Sequence, residues 1–360
     1  MFPSAERRGL LSMLLASVRR FRVEFLEARA GALDAPDNSE AVREVWGRAH
    51  QALGLNAALV TEGRGGAQLD PRAWGGIIAE LARGSAGFAA LLLSHNLALW
   101  ALQRAGDDAL LERLVAAPTW SALIGPWVEP AADGARAGWV LGGAGAGDFV
   151  AVSPGGGACY HARALPSTPG DAIADAAAPM GLRASRAAAV ARGDLALQPL
   201  LACRWDGAAA GELEARLLLG MAALCSGILG AALEQAWSYA RQRYQGGRLI
   251  VEHPTVREML ATMAADLRNL EALLAHAATP EPELATCRAA KLAAGRMAVA
   301  GASMGMQVLG GYGYMRDYGM ERLLRDARAS HLFPRPPHRE LEALLAAAGY
   351  PGEEPNTAAM

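Results

Sequence analysis

Glu212 to Gln245 reads ELEARLLLGMAALCSGILGAALEQAWSYARQRYQ, without a proline and without paired glycines. A single helix over that stretch reaches about 50 Å. Downstream, Pro254 opens a second helix to His276, and Thr279-Pro280-Glu281-Pro282 breaks it. Glu283 to Leu309 forms a third helix, rich in Ala, Gly and Met as suits closely packed backbones, and Gly310-Gly311 ends it. Met320 to Phe333 makes a shorter fourth before Pro334. Three long helices and a shorter one, joined by short breaks, describe a helical bundle.

Upstream the texture changes twice. Between Pro118 and Trp205, short apolar runs (Trp120–Ile124, Trp139–Leu141, Phe149–Val152) alternate with the turn clusters Gly142-Gly143 and Gly155-Gly156-Gly157. That is a thin β region. From Ala5 to Ala117 the apolar residues return to helical spacing. Ser4 opens a helix to about Ala30, and Asn38-Ser39-Glu40 opens the next. Gly63 to Asp70 is a glycine-rich loop, with Pro71 at the first turn of a helix that ends near Gly84; an uncharged helix follows to Gln103. The expected organisation is a helical segment over 1–117, a reduced β domain over 118–205, a four-helix bundle over 206–350 and a disordered tail over 351–360.

The chain has 360 residues, 52% of them apolar and 19% charged, with a formal net charge of −2. This length and composition suit two or three globular domains and exclude a disordered chain. Near-neutrality argues against nucleic acid as a partner. Of the 34 basic residues only Lys291 is a lysine, which reads as a compositional bias toward arginine. Cys159, Cys203, Cys225 and Cys287 lie far apart, in neither a disulfide nor a zinc pattern, as in a reduced cytoplasmic protein. Met1 to Arg20 brackets its apolar stretch with arginines and lacks a small-residue cleavage site, so no export signal is expected. Gly84–Gln103 and Leu217–Leu233 are uncharged, but Ser94, His95 and Asn96 interrupt the first and the second is short. Both read as buried helices, and no membrane span is expected.

Generic motifs say little. Gly143 to Gly147 lacks the following helix and acidic residue of a dinucleotide loop and reads as a turn. The histidines show no metal-ligand spacing, and His253, before Pro254, reads as structural.

Several segments taken together say more. They are YARQRYQGGRLIVEH (Tyr239–His253), VREMLATMAADLRNLEALLAHAA after Thr255, Ala290-Lys291-Leu292, and MQVLGGYGYMRDYGMERLLRDA (Met306–Ala327). In order and spacing they resemble the acyl-CoA dehydrogenase family of flavoproteins. Met180 to Ser185 (MGLRAS), Trp127 to Gly134 (WVEPAADG), Gly54 to Asp70 and Glu80-Leu81-Ala82-Arg83 are similar to further family segments, so the resemblance covers about residues 40–345. It implies a mainly α fold with a small central β domain: an N-terminal helical domain, a reduced β-barrel domain and a C-terminal four-helix bundle. FAD is the implied cofactor, lying between β domain and bundle, with a neighbouring subunit completing its site. By resemblance, Arg243 takes the place of the arginine that contacts the FAD diphosphate, for which a guanidinium fork is suited. Gln307, Gly310, Gly311 and Gly313 match the segment that receives a partner's adenine and diphosphate, where glycine admits close backbone approach. Arg322, Arg325 and Asp326 match the helix that follows. There the pairs Glu321–Arg325 and Arg322–Asp326, spaced i,i+4, favour an ion-pair ladder.

The departures point to a role. The family removes a proton from the thioester α-carbon with a glutamate while hydride leaves to the flavin. The two family positions for that glutamate fall here at Pro334 and Leu217, and neither side chain can take a proton. Glu214 lies almost one turn upstream of Leu217, where a solvated helix-start carboxylate is the favoured reading. The catalytic residue is therefore unknown. Gly138 to Gly143 runs almost directly into Gly147-Asp148, so the family segment that lies along the flavin ring is read as deleted; Val128 and Asp133-Gly134 replace flavin-loop residues, and Gly246 replaces a phenylalanine. The expectation is a subunit of a heteromeric acyl-CoA dehydrogenase, completing FAD held mainly by a catalytic paralogue. Its further partners would be an acyl-CoA thioester and, through the complex, an electron-transfer protein. The alternatives are an autonomous flavin-dependent oxidoreductase using a non-standard base, and an FAD-free structural relic.

Overall fold

The computed structural model describes residues 4–127, 139–152, 159–163, 173–174, 179–190, 198–200 and 205–350. Val128 to Gly134 of the WVEPAADG segment and the tail 351–360 lie outside them.

The N-terminal elements are α1 (Ser4–Phe21), a π turn at Arg22–Leu26 and a 3₁₀ turn leading to α2 (Ala30–Leu33), then α3 (Ser39–Leu53), α4 (Pro71–Gly84), α5 (Ala86–Ala105) and α6 (Asp108–Val115). The chain between α3 and α4 ends on Asp70, whose carboxylate accepts from the amides of Arg72 and Ala73 at 2.9 Å each and so caps α4 ahead of Pro71. Asn38 stands at the N-cap of α3 but does not cap it. Its amide donates to the Leu33 carbonyl at 2.7 Å and its oxygen accepts from Arg186, which fixes the turn between α2 and α3.

The polar trio in the otherwise apolar α5 holds the surrounding loops. Asn96 donates to the carbonyl of Leu55 at 2.9 Å, and His95 Nε2 donates to that of Asn56 at 2.8 Å. His95 Nδ1 accepts from the Ser121 amide at 2.9 Å, which fixes the neutral tautomer, and Ser94 donates to Leu141 at 2.8 Å. Burial lowers the pKa of His95 to about 4. All three side chains are thus satisfied in the core.

Two small sheets follow. In the first, β1 (Ser121–Ile124) runs parallel to β3 (Asp148–Val152), with Ser121 opposite Asp148. Antiparallel strands β4 (Cys159–Arg163) and β7 (Gln198–Pro199) extend it. In the second, β6 (Ala188–Val190) lies between β2 (Trp139–Val140) and β5 (Ile173–Ala174). The short link from β2 to β3 folds over Trp120, whose indole donates to the Gly142 carbonyl at 2.9 Å.

The C-terminal half contains α7 (Gly207–Ala240), a hairpin of β8 (Tyr244–Gln245) and β9 (Arg248–Leu249), α8 (Pro254–Ala277), α9 (Leu284–Leu309), α10 (Met320–Leu332) and α11 (Pro337–Ala347). Two boundaries differ from the sequence expectation. The long helix starts earlier, at the Asp206 cap, whose carboxylate accepts from the Ala209 amide at 2.8 Å. It stops at Ala240 rather than Gln245 because Gly246 and Gly247, with φ of +64° and +81°, close a two-residue hairpin. Helix α11 was not anticipated; Pro337 sits in its first turn, where proline fits. Helices α5 and α7 are long and apolar enough to cross a membrane, yet their most apolar windows are 94% and 83% buried, as core helices.

Residues Pro179 to Ser185 join the three parts. The Leu182 amide donates to the Asp326 carboxylate of α10 at 2.6 Å. Arg325 forks onto Asp34 at 3.1 and 2.6 Å and donates to the Met180 carbonyl at 2.7 Å. Arg183 donates to the Asp34 carbonyl at 2.9 Å. Of the expected ladder, Glu321–Arg325 forms at 2.6 Å. Arg322 instead donates to the Gly84 carbonyl at 3.2 Å, and Asp326 takes the Leu182 amide. The second pair is replaced because Asp326 faces the core, away from the helix surface a ladder requires.

Candidate functional site

The end of α7, the β8–β9 hairpin, the end of α9 and the 3₁₀ turn Gly310–Tyr314 enclose a cavity of about 840 Å³. Arg243, Gln307, Gly310 and Gly311 all line it, although they come from two segments about sixty residues apart. Arg243 stands at its rim, exposed, and has no carboxylate partner among the described residues. Gln307 is exposed on the last turn of α9. Gly310 takes φ +59° and ψ −134°, which turns the chain sharply and is open to glycine alone without strain. Its amide is spent on the Met306 and Gln307 carbonyls at the helix end. What Gly310 and Gly311 give the cavity is room, since a Cβ on either would meet open space. Gly313 is absent from the wall. It is buried beneath it, where a Cβ would lie 2.9 Å from the Met306 carbonyl oxygen, so glycine there serves packing.

Sequence reasoning assigned no role to the aromatic side of this cavity. Tyr239, Tyr312 and Tyr318 form a cluster with centroid separations of 6.2, 6.2 and 5.0 Å. The Arg243 guanidinium lies 5.9 Å from the Tyr312 ring centre. Burial pushes the Tyr239 phenol above its ordinary pKa, so it stays protonated. His253 also lines the wall; its Nε2 donates to the Gln245 carbonyl at 3.0 Å, pinning the hairpin against the start of α8. The signal was the set of tyrosines in the same segments that carry Arg243 and Gln307. The wall thus combines a guanidinium free of carboxylates, an exposed amide, glycine space and a ring surface, a donor set suited to a phosphorylated aromatic ligand.

The two positions for a base lie elsewhere. Leu217 is buried in α7, and Pro334 follows α10. Glu214 is not solvated, contrary to expectation. It is 8% exposed, 2.7 Å from Arg288 Nη2, and ion-paired with Arg335. Fully buried Glu340 completes the group, 3.2 Å from Arg288 Nε and 3.6 Å from Arg335 Nε. Two buried carboxylates and two half-buried guanidinia form a group of four, with the buried Lys291 close enough to act on Glu340. Glu214 is thus engaged in ion pairs and does not line the cavity that holds Arg243 and Gln307.

The family description "Acyl-CoA dehydrogenase, N-terminal domain" matches residues 11–117, and "Acyl-CoA dehydrogenase, C-terminal domain" matches residues 214–333. An acyl-CoA dehydrogenase of Bacillus subtilis (strain 168) is 41% identical over 119 residues, which is 32% of this chain and 31% of that protein. The 3-(aryl)acrylate reductase of Clostridium sporogenes is 34% identical over 119 residues, 32% of each chain. The matched stretch therefore spans about a third of the length of these curated relatives. Whole-chain likeness is structural: butyryl-CoA dehydrogenase from Megasphaera elsdenii superposes with a TM-score of 0.76 at 20% identity, over 94% of this chain and 97% of that one. Glutaryl-CoA dehydrogenase from Mycobacterium smegmatis gives 0.80 at 19% identity, over 98% and 97%. With both ends of the chain matched in order around a sheet region of the same fold, the protein belongs to the acyl-CoA dehydrogenase family.

Proposed function

We propose that this chain is a cytoplasmic, site-completing subunit of a heteromeric acyl-CoA dehydrogenase, supporting α,β-desaturation of an acyl-CoA by a catalytic paralogue. One observation carries the reading. The chain keeps an open wall of Arg243, Gln307, Gly310 and Gly311 while both base positions are occupied by residues that cannot accept a proton.

The cofactor is FAD, shared with the partner. Two proteins of similar fold bind it or its reduced form: PigA, with FAD and proline, and the Mycobacterium smegmatis glutaryl-CoA dehydrogenase, with FADH2. The residues present fit the adenosine-diphosphate end: Arg243 has no competing carboxylate among the described residues, Gln307 offers an exposed amide, and Tyr312 offers a ring face. When bound, FAD supplies the two-electron chemistry of the family. This chain's residues would clamp the diphosphate and base and exclude water from that end of the site. A relative at 33% identity is named as the CarC subunit of a caffeyl-CoA reductase–Etf complex, which supports both a heteromer and an electron-transfer protein as partners.

The test is the visible spectrum and flavin stoichiometry of the chain purified alone and co-expressed with a family paralogue. Flavin retained only in the pair, together with turnover of an acyl-CoA, is the expected result. A chain that alone holds one flavin and oxidises an acyl-CoA would overturn the proposal, as would a stable monomer that ignores every paralogue.

A further inference from the structure

Helices α9 and α10 pack antiparallel: Gly305 of α9 lies against Met320 at the start of α10, and Gly295 lies against His331 near its end. An added Cβ on Gly295 would be 2.4 Å from His331 Nδ1, so the imidazole sits directly on the backbone of α9, one residue from Arg296. Arg328 lies three residues before His331 and shares its face of α10. Behind the ring, Lys291 Nζ is spent on the His331 carbonyl at 2.8 Å. The charges close enough to act on the ring are those of Lys291, Arg328 and Arg296, and no carboxylate of the described residues is among them. Arg296 and Arg328 are exposed, and neither makes an ion pair or a side-chain hydrogen bond among the described residues. The ring is unfinished as well, since its Nδ1 is buried without a hydrogen-bond partner. A proton on Nδ1 would have no acceptor, so the neutral ring carries its hydrogen on Nε2. Two unpaired guanidinia and an imidazole N–H thus stand together with nothing in the chain to accept from them. None of the three residues lines the cavity of Arg243 and Gln307.

We propose that Arg296, Arg328 and His331 form a binding site for a phosphate dianion at the α9–α10 seam, apart from the cofactor cavity. The guanidinia offer charge and planar sets of N–H donors to the phosphate oxygens, and His331 Nε2–H offers a further donor. A dianion matches two full cations, where a carboxylate neutralises one. Burial, together with Lys291, Arg328 and Arg296, holds His331 below its ordinary pKa. A dianion beside the ring opposes the electrostatic part of that shift, so phosphate and the His331 proton bind in concert.

The test follows the His331 imidazole by NMR in the full chain, its resonance assigned as the one lost in His331→Gln. The pH titration is run in sodium phosphate and in sodium chloride of equal ionic strength. Phosphate is expected to raise the His331 midpoint saturably and well beyond chloride, and Arg296→Gln and Arg328→Gln should each weaken that binding about tenfold. Both arginines are exposed and unpaired among the described residues, so these variants keep the fold. Methyl phosphate, run in parallel, separates the sources: binding as tight as that of the free ion supports a phosphate monoester, and exclusion of the ester supports inorganic phosphate. A midpoint moved equally by chloride would be screening alone and would overturn the site. So would a phosphate response that survives the loss of both arginines.

Discussion

Lys291 of α9 donates from Nζ to the carbonyl oxygen of His331 at 2.8 Å, so the chain's one lysine caps the last turn of α10 from inside the core. A helix end leaves its final carbonyls without intrahelical donors, and a cation there also meets the negative end of the helix dipole. Burial pulls the ammonium below its ordinary pKa. A base whose folded-state value is depressed makes its full contribution above the unfolded value of 10.5, and loses it as pH falls through the folded value. Lys291→Met keeps the volume and removes both charge and donor. Its stability deficit against wild type, read by urea unfolding, should therefore widen as pH rises toward 10. A constant deficit would mean that the lysine is fully charged in the fold at all these pH values.

Two more buried groups set opposite pH dependences. His95 is neutral in the core with its pKa lowered to about 4, against an ordinary 6.5. Stability from this group is full above pH 6.5 and is lost as pH falls through about 4, by an amount on the order of 3 kcal/mol at 1.36 kcal/mol per unit. Burial raises the Asp326 pKa to about 6 from 3.8. Its stability contribution is full below pH 3.8 and is lost as pH rises through about 6. Asp326→Asn keeps an acceptor for the Leu182 amide while removing the buried charge. The variant should melt higher than wild type at pH 7.5 and no higher at pH 4. His95→Gln should flatten the acid limb between pH 6.5 and 4. Thermal melts at those pH values decide both, and an acid limb unchanged in His95→Gln would assign it to other groups.

The bundle was legible because its punctuation is local: Pro254, the Thr279–Pro282 break, Gly310-Gly311 and Pro334 mark helix ends by backbone chemistry alone. The convergence of Arg243 with Gln307 and Gly310 was legible only through family resemblance, since no local rule places residues about sixty positions apart on one wall. What stayed hidden depends on tertiary burial. Glu214 looks like a surface carboxylate at a helix start until α9 and α11 bring Arg288 and Glu340 against it. Asp326 has ladder spacing, but the ladder fails because the Leu182 amide arrives from 144 residues away. Arg335, one residue past the vacant base position, showed no sign in sequence that it would turn inward.

Arg243 carries the cofactor reading most directly. It is exposed, makes no ion pair among the described residues, and lies 5.9 Å from the Tyr312 ring centre, so its removal leaves no buried charge and should cost little stability. Arg243→Ala should leave the melting temperature of the chain within about 1 °C while flavin retained by the co-expressed pair falls about tenfold, the loss of one charge-assisted phosphate contact. Arg243→Lys should recover part of it, as a point charge without the planar fork. Flavin content unchanged in Arg243→Ala would remove the cavity from the cofactor site.

Glu214 separates a structural carboxylate from a displaced base. Held by Arg288 at 2.7 Å and by Arg335, it balances a quartet whose fourth member, Glu340, is fully buried. Glu214→Gln leaves two guanidinia facing one carboxylate, and breaking one side of a buried pair typically costs about 3–5 kcal/mol. Glu214→Gln should unfold at clearly lower urea concentration, and a double change with Arg335→Met should regain part of the loss by removing the uncompensated cation. Turnover per assembled flavin in the co-purified complex should stay at the wild-type value for both variants. The opposite pattern, normal stability with turnover falling by orders of magnitude, would make Glu214 the proton acceptor and this chain an enzyme in its own right.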